Sequence, residues 1–276
     1  MGTSKGYGGP GSGLVPSWAD DPAVPTSEAS NGDGVDGGEA EPGGNPDATT
    51  AGSFQGARGN FTRFAKTGSD RALGSAMSGY VRTGTGGARQ AARRMGTSRA
   101  SAAGLLRLAR DFQQLGATDA LARFDLAALA GRPAVDAFAA IAEFVCPPGG
   151  SVDEAISRQA MFEAIGDLAE LGVGSFESLS PTEMQEFFLS FVLHSIEGRV
   201  MADLCIKGIT LPDDPAAVEA IQDQLHDFIE GCTRGVFSDE LDRLPNLDDV
   251  QVKQVVEGIY EDAFELIAAA GEELRK

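Results

Sequence analysis

From Ser98 to the C-terminus, apolar residues recur at helical spacing almost without a break, and no stretch alternates with the two-residue period of a strand. Leu105, Leu106, Leu108, Ala109, Phe112 and Leu115 form a first apolar face. Gly116 and Thr118 mark a stop and a cap, so a second helix is expected over 118–130. Pro133 stands where a third begins, over 134–145, and Cys146-Pro147-Pro148-Gly149-Gly150 must break it. Ser151-Val152-Asp153-Glu154 is a capping-box pattern opening a fourth helix to about Leu171. Ser180-Pro181-Thr182-Glu183 repeats that logic, with proline at the first helical position, and its helix reaches Lys207 unless Gly198 kinks it. Asp214-Pro215 opens a sixth helix to about Cys232, and Asp248 or Asp249 a seventh to about Leu274. Residues 98–276 are therefore expected to form one acidic, all-α bundle of about seven helices, long enough for a sizeable core.

The preceding part of the chain obeys different physics. Residues 1–104 hold 23 of the 36 glycines. Residues 1–53 are rich in Gly, Pro, Ser and Asp, with almost no large apolar groups. Such a tail cannot bury enough surface to offset the entropy of ordering it, so disorder is expected. Residues 54–97 remain Gly-rich but turn basic, and are expected to be only partly helical. Leu73, Ala76, Met77, Tyr80 and Val81 fall at helical spacing after a Ser69/Asp70 cap, and a second short helix fits Gly87 to Met95. Their glycines make both marginal in isolation.

A formal net charge of −19 argues against a protein that coats nucleic acid with its whole surface. No stretch approaches the ~18 apolar residues that span a bilayer, and no basic segment precedes an apolar one in the manner of a secretory signal. Cys146, Cys205 and Cys232 are too few and too scattered for a disulfide framework or a zinc knuckle. A cytoplasmic protein with reduced thiols is the expectation. The glycine pattern at Gly6, Gly8 and Gly11 follows no strand and contains Pro10, so it is not a dinucleotide loop. No Walker-type loop occurs, and Asn31-Gly32-Asp33-Gly34-Val35-Asp36 lacks the Glu and flanking helices of a calcium loop.

The two histidines read as ordinary helix residues. His194 follows the apolar run Phe187–Leu193, and His226 has Asp223, Asp227 and Glu230 nearby. Cys232, six residues on, does not face His226 on one helix. No catalytic residue, metal or cofactor is expected, and a helical hydrolase built on His226 is the least favoured reading. Arg82, Arg89, Arg93, Arg94 and Arg99, with Arg107 and Arg110, suit phosphate contacts. The acidic helices of the same chain are tethered beside them, so self-docking or a protein partner is favoured over nucleic acid.

The amino terminus carries the remaining signal. Met1-Gly2-Thr3-Ser4 has a small second residue that normally permits removal of the initiator Met. An α-amino group, with a pKa of about 7.7–8.0, is partly unprotonated and nucleophilic at neutral pH. Myristoylation fits poorly, because Gly6 stands where that pattern wants Ser or Thr. Trp18, the only tryptophan, lies with Leu14, Val15 and Pro16 in polar sequence. It either anchors a short motif in a partner's groove or folds back on the chain's own helices.

The opening MGTSKGYGGPGSGLVPSW, the Gly-rich basic middle and CPPGGSVDEAISRQAMFEAI together resemble QatB, the small component of the bacterial Qat anti-phage defence system. The resemblance covers the whole chain and is most specific in the first eighteen residues. It implies an operon with an ATPase (QatA), a QueC-like enzyme (QatC) and a TatD-like nuclease (QatD), and assigns QatB itself no enzymatic activity. A QueC-like enzyme activates the carboxyl of a 7-deazaguanine for attack by an amine, and the Gly2 amine is the candidate nucleophile. Gly2, Thr3, Ser4, Leu14, Val15, Pro16 and Trp18 are then the expected partner contacts. The competing expectations are an unmodified adaptor for the ATPase and a nucleic-acid sensor acting through the Arg-rich segment.

Overall fold

The computed structural model describes residues 53–205, 212, 214–234 and 244–276. Among the described residues there are ten α-helices and no strand ladder, only a bridge between Pro133 and Ser175. They are α1 (Gln55–Thr67), α2 (Asp70–Gly79), α3 (Ala88–Arg94), α4 (Gly96–Leu115), α5 (Ala117–Ala122), α6 (Ala134–Val145), α7 (Val152–Glu170), α8 (Pro181–Cys205), α9 (Pro215–Thr233) and α10 (Asp249–Leu274).

Side chains fix several of the starts. Ser151 Oγ accepts from the Glu154 N–H while the Glu154 carboxylate accepts from the Ser151 N–H, a closed capping box at the head of α7. Ser180 and Glu183 do the same at α8. Asp214 caps α9 ahead of Pro215, and Asp248 caps α10 with Gln251 completing the box. Gly198 does not kink α8, which runs continuously for 25 residues to Cys205; Lys207 lies outside the described residues. Gly198 instead lets α7 come close, since a Cβ there would lie 3.2 Å from Ile156.

One expected element is corrected. The helix over 118–130 stops at Ala122, and a short 3-10 turn occupies Ala127–Leu129. Asp125 sits in the left-handed region at φ 61°. The Leu126 N–H donates to the Leu121 carbonyl and the Asp125 N–H to the Ala122 carbonyl, the paired bonds of a Schellman stop. Aspartate tolerates that conformation better than most non-glycine residues, so the stop carries no glycine to announce it.

The segment before Ser98 contributes to the same core. Phe61 and Phe64 of α1, and Leu73, Ala76 and Met77 of α2, are buried in one cluster with Ile259, Phe264 and Ile267 of α10. After α2 the chain widens into an underwound π-helical turn over Tyr80–Gly84, where the Thr85 N–H reaches back to the Tyr80 carbonyl. In the same core cluster, Phe138 stacks on Phe187 with ring centroids 3.8 Å apart and meets Phe176 edge-on. Cys146 and Cys232 are buried and Cys205 half-buried, all as free thiols. Burial pushes the Cys232 thiol up to about 11, away from nucleophilic reactivity.

Candidate functional site

Helical spacing lines up three polar stripes around one cleft. On α7, Glu163 and Asp167 are four residues apart; on α8, Ser190, His194 and Glu197 recur at four and three; on α9, His226 and Glu230 are four apart. These stripes converge where α7, α8 and α9 meet. His194 Nε2 lies 2.8 Å from Asp167 Oδ2, and the Ser190 hydroxyl donates to the same carboxylate oxygen at 2.5 Å. His194 Nδ1 lies 3.4 Å from Glu163 and 3.9 Å from Glu197. His226 Nδ1 lies 3.0 Å from Glu197, and the two imidazole centroids are 5.4 Å apart. One donor atom each from His194, Glu197 and His226 falls within 4.8 Å of the other two.

This cluster borders a cleft of about 650 Å³. Leu168, Phe187 and Leu193 give it an apolar wall, while Asp167, Glu230, His226 and Arg234 supply polar groups. His194 is nearly enclosed, with 10% of its side chain exposed, whereas 33% of His226 reaches solvent. Burial pulls the His226 pKa down. The hydrogen bond and charge of Glu197, with Glu230 and Asp167, outweigh it, so His226 titrates above its ordinary value. Spacing along one helix places Asp223, Asp227 and Glu230 near His226. The closest carboxylate, Glu197, comes from a different helix.

A second polar centre forms at the end of α8. The last carbonyls of a helix have no partner within it and carry partial negative charge. Arg58 of α1 meets that need, donating from Nε and Nη2 to the Asp203 carbonyl at 3.1 and 2.6 Å. The Asp203 carboxylate accepts from Arg94 at 3.0 Å, from Arg199 at 3.2 Å and from the Tyr80 hydroxyl at 3.0 Å. Arg199 also pairs with Asp153 of α7. Burial first, then the adjacent Asp203 charge, pushes the Tyr80 phenol far above its usual range. Phe54 stacks on Tyr80, with Arg58 and Arg94 over its ring.

Five of the seven arginines singled out in the sequence meet carboxylates of the same chain. Arg82 pairs with Glu272 at 2.6 Å, Arg89 with Glu261 at 3.1 Å, Arg94 with Asp203 at 3.0 Å and Arg99 with Glu257 at 3.0 Å. Glu257, Glu261 and Glu272 all belong to α10. Arg93 is exposed, with no ion pair among the described residues. Arg110 is buried against Asp111 and Asp249, and the Arg107 Nε is enclosed without a hydrogen-bond partner. Gly2, Thr3, Ser4, Leu14, Val15, Pro16 and Trp18 lie outside the described residues. No helix among the described residues is long and apolar enough to cross a membrane.

Fold and site together define an all-α protein whose basic segment is ion-paired to its own acidic helices, with a histidine–carboxylate cleft where α7, α8 and α9 meet. A family model described as "Qat anti-phage system associated protein QatB" matches residues 86–267, about two thirds of the chain. The chain belongs to the QatB family and is a component of the Qat anti-phage system. No curated protein and no solved structure matches it.

Proposed function

We propose that this chain serves the Qat system as a protein substrate and adaptor rather than as a catalyst. In this reading the initiator Met is removed and the QueC-like partner, QatC, joins a 7-deazaguanine to Gly2. The partner activates the 7-deazaguanine carboxyl with ATP. The unprotonated Gly2 amine attacks that carbon, an amide C–N bond forms, the activating group leaves and the amine loses a proton. A glycine offers no side chain to obstruct the partner's slot. Thr3 and Ser4 follow it into the slot, and Leu14, Val15, Pro16 and Trp18 anchor the tail on the same partner. The helical body then acts as adaptor for the ATPase QatA and the nuclease QatD, and residues 1–53, 54–97 and 98–276 divide these tasks as tail, basic segment and acidic body.

The observation that carries this reading is the Met1-Gly2-Thr3-Ser4 start in a member of the QatB family. The α-amine is the one amine in such a tail with a pKa near neutrality; lysine side chains lie near 10.4. The ion pairs of Arg82, Arg89, Arg94 and Arg99 weigh against the nucleic-acid sensor, since phosphates would have to displace carboxylates already in place.

The test is intact-mass and peptide mass spectrometry of the protein co-expressed with its operon. A Gly2 amide of the 7-deazaguanine is expected. An unmodified Gly2 in an otherwise active system would refute the modification. Gly2→Glu, which retains Met1, is expected to abolish phage defence; full defence in that variant would favour the unmodified adaptor.

A further inference from the structure

We infer that His194, Glu197 and His226 form a binding site for one divalent transition-metal ion of the zinc type. The first support is geometric. Tetrahedral zinc with bonds of 2.0–2.1 Å holds its ligand atoms about 3.3 Å apart. The His226 Nδ1–Glu197 edge is 3.0 Å and the His194 Nδ1–Glu197 edge 3.9 Å, and all three ligand atoms lie within 4.8 Å of one another, so side-chain rotation of the order of an ångström closes the site.

The second support is the outer shell. A metal-bound imidazole ordinarily donates its other N–H to a carboxylate, which fixes the tautomer. His194 Nε2 has that partner in Asp167 at 2.8 Å, itself held by Ser190, and this leaves Nδ1 to face Glu163 at 3.4 Å and Glu197 at 3.9 Å.

The third support is charge. Glu163, Asp167 and Glu197 lie within 4 Å of the two imidazoles, and Glu230 shares the cleft wall with His226, so four carboxylates surround the site. A divalent cation is electrostatically favoured among four carboxylates. Two imidazoles with one carboxylate select zinc-like ions over magnesium or calcium, which prefer all-oxygen shells. The site clamps α8 to α9. His226 lies on the wall of the 650 Å³ cleft.

The two ring nitrogens needed come from the only two histidines of the chain, so any two-imidazole metal centre in this protein identifies the site. The experiment uses full-length, tag-free protein stripped with chelator and titrated with Zn²⁺ in competition with a chromophoric chelator. One ion per chain is expected, with X-ray absorption at the zinc edge showing two imidazoles per ion. His226→Gln, at a partly exposed position, and Asp167→Asn are each expected to weaken binding at least tenfold, with unchanged circular dichroism in the absence of metal. Absence of stoichiometric binding, or equal affinity in His226→Gln, would overturn the site. The Co²⁺ spectrum of the unsubstituted protein is an independent check: a thiolate charge-transfer band would place the ion on cysteines and overturn it as well.

Discussion

A Cβ on Gly74 would fall 2.5 Å from the carbonyl oxygen of Gly271, and one on Gly271 would fall 2.7 Å from that of Gly74, so α2 and α10 cross backbone to backbone. Two glycines that weaken their own helices in isolation are what lets those helices touch. Gly74→Ala and Gly271→Ala are each expected to destabilise the protein by about 1–3 kcal/mol, because backbone rather than a flexible side-chain end must move. Gly258, also in α10, has nothing within 4 Å of its would-be Cβ. Gly258→Ala should therefore stabilise by about 0.5–1 kcal/mol. Urea denaturation of the three variants checks the contrast. Equal effects at Gly271 and Gly258 would refute the close crossing.

Asp203 is the acceptor on which Arg94, Arg199 and Tyr80 depend, and its side chain is only 12% exposed. Asp203→Ala leaves the buried Tyr80 phenol facing no acceptor and removes the carboxylate shared by Arg94 and Arg199, Arg199 keeping only Asp153, which costs about 3 kcal/mol. Tyr80→Phe removes one hydrogen bond and should cost about 1 kcal/mol. Chemical denaturation of both single variants and the double variant measures this. Because the tyrosine bond exists only with Asp203, the double variant should fall short of the sum of the two.

The helical class was legible because most starts are written locally: Ser151, Ser180, Asp214 and Asp248 cap with their own side chains, and those side chains precede apolar stripes. What was illegible depends on partners distant in sequence. The helices around Leu73 and over Gly87 to Met95 read as marginal because their apolar faces are completed by α10, at the far end of the chain, and the helix around Phe61 was not legible at all. The stop at Asp125 was hidden because an aspartate occupies a conformation usually announced by glycine. His194 and His226 read as unrelated because they lie on different helices, and only the packing of α8 on α9 brings their rings together. The arginine pairing could be argued from charge segregation alone, but the choice of Glu257, Glu261 and Glu272 needed the register of α10.

The capping boxes make stability sensitive to acid. Glu154 is held below the usual glutamate range, first by the Ser151 backbone N–H and then by its hydroxyl, and Glu183 is held low by Ser180 in the same order. Each folded-state pKa lies below its unfolded value. The stabilisation is therefore fully present above about pH 4.3 and is lost as pH falls through the folded-state values. Asp249, lowered first by its hydrogen bond to Arg110, acts in the same direction. The melting temperature should drop on acidification below that range. The drop should be shallower in Glu154→Gln/Glu183→Gln, whose caps persist without titrating. An acid limb of unchanged slope in that variant would show that other carboxylates dominate.

The α10 glutamates also determine how the basic helices behave toward polyanions. Arg89 and Arg99 sit on Glu261 and Glu257, one helical turn apart, and Arg82 on Glu272. Each exposed pair contributes little to stability, about 0–1 kcal/mol, so its removal should leave the fold intact. The pairs nevertheless cancel the positive field that would draw in phosphates. The purified protein is expected to show no salt-steep binding to double-stranded DNA. Glu257→Gln/Glu261→Gln uncovers two arginines beside the exposed Arg93, and should bind DNA measurably at low salt, with affinity falling as salt is raised. Fluorescence anisotropy across a salt series distinguishes the outcomes. Strong, salt-dependent binding by the unsubstituted protein would mean that phosphates displace the glutamates readily, and would return the nucleic-acid sensor to the front.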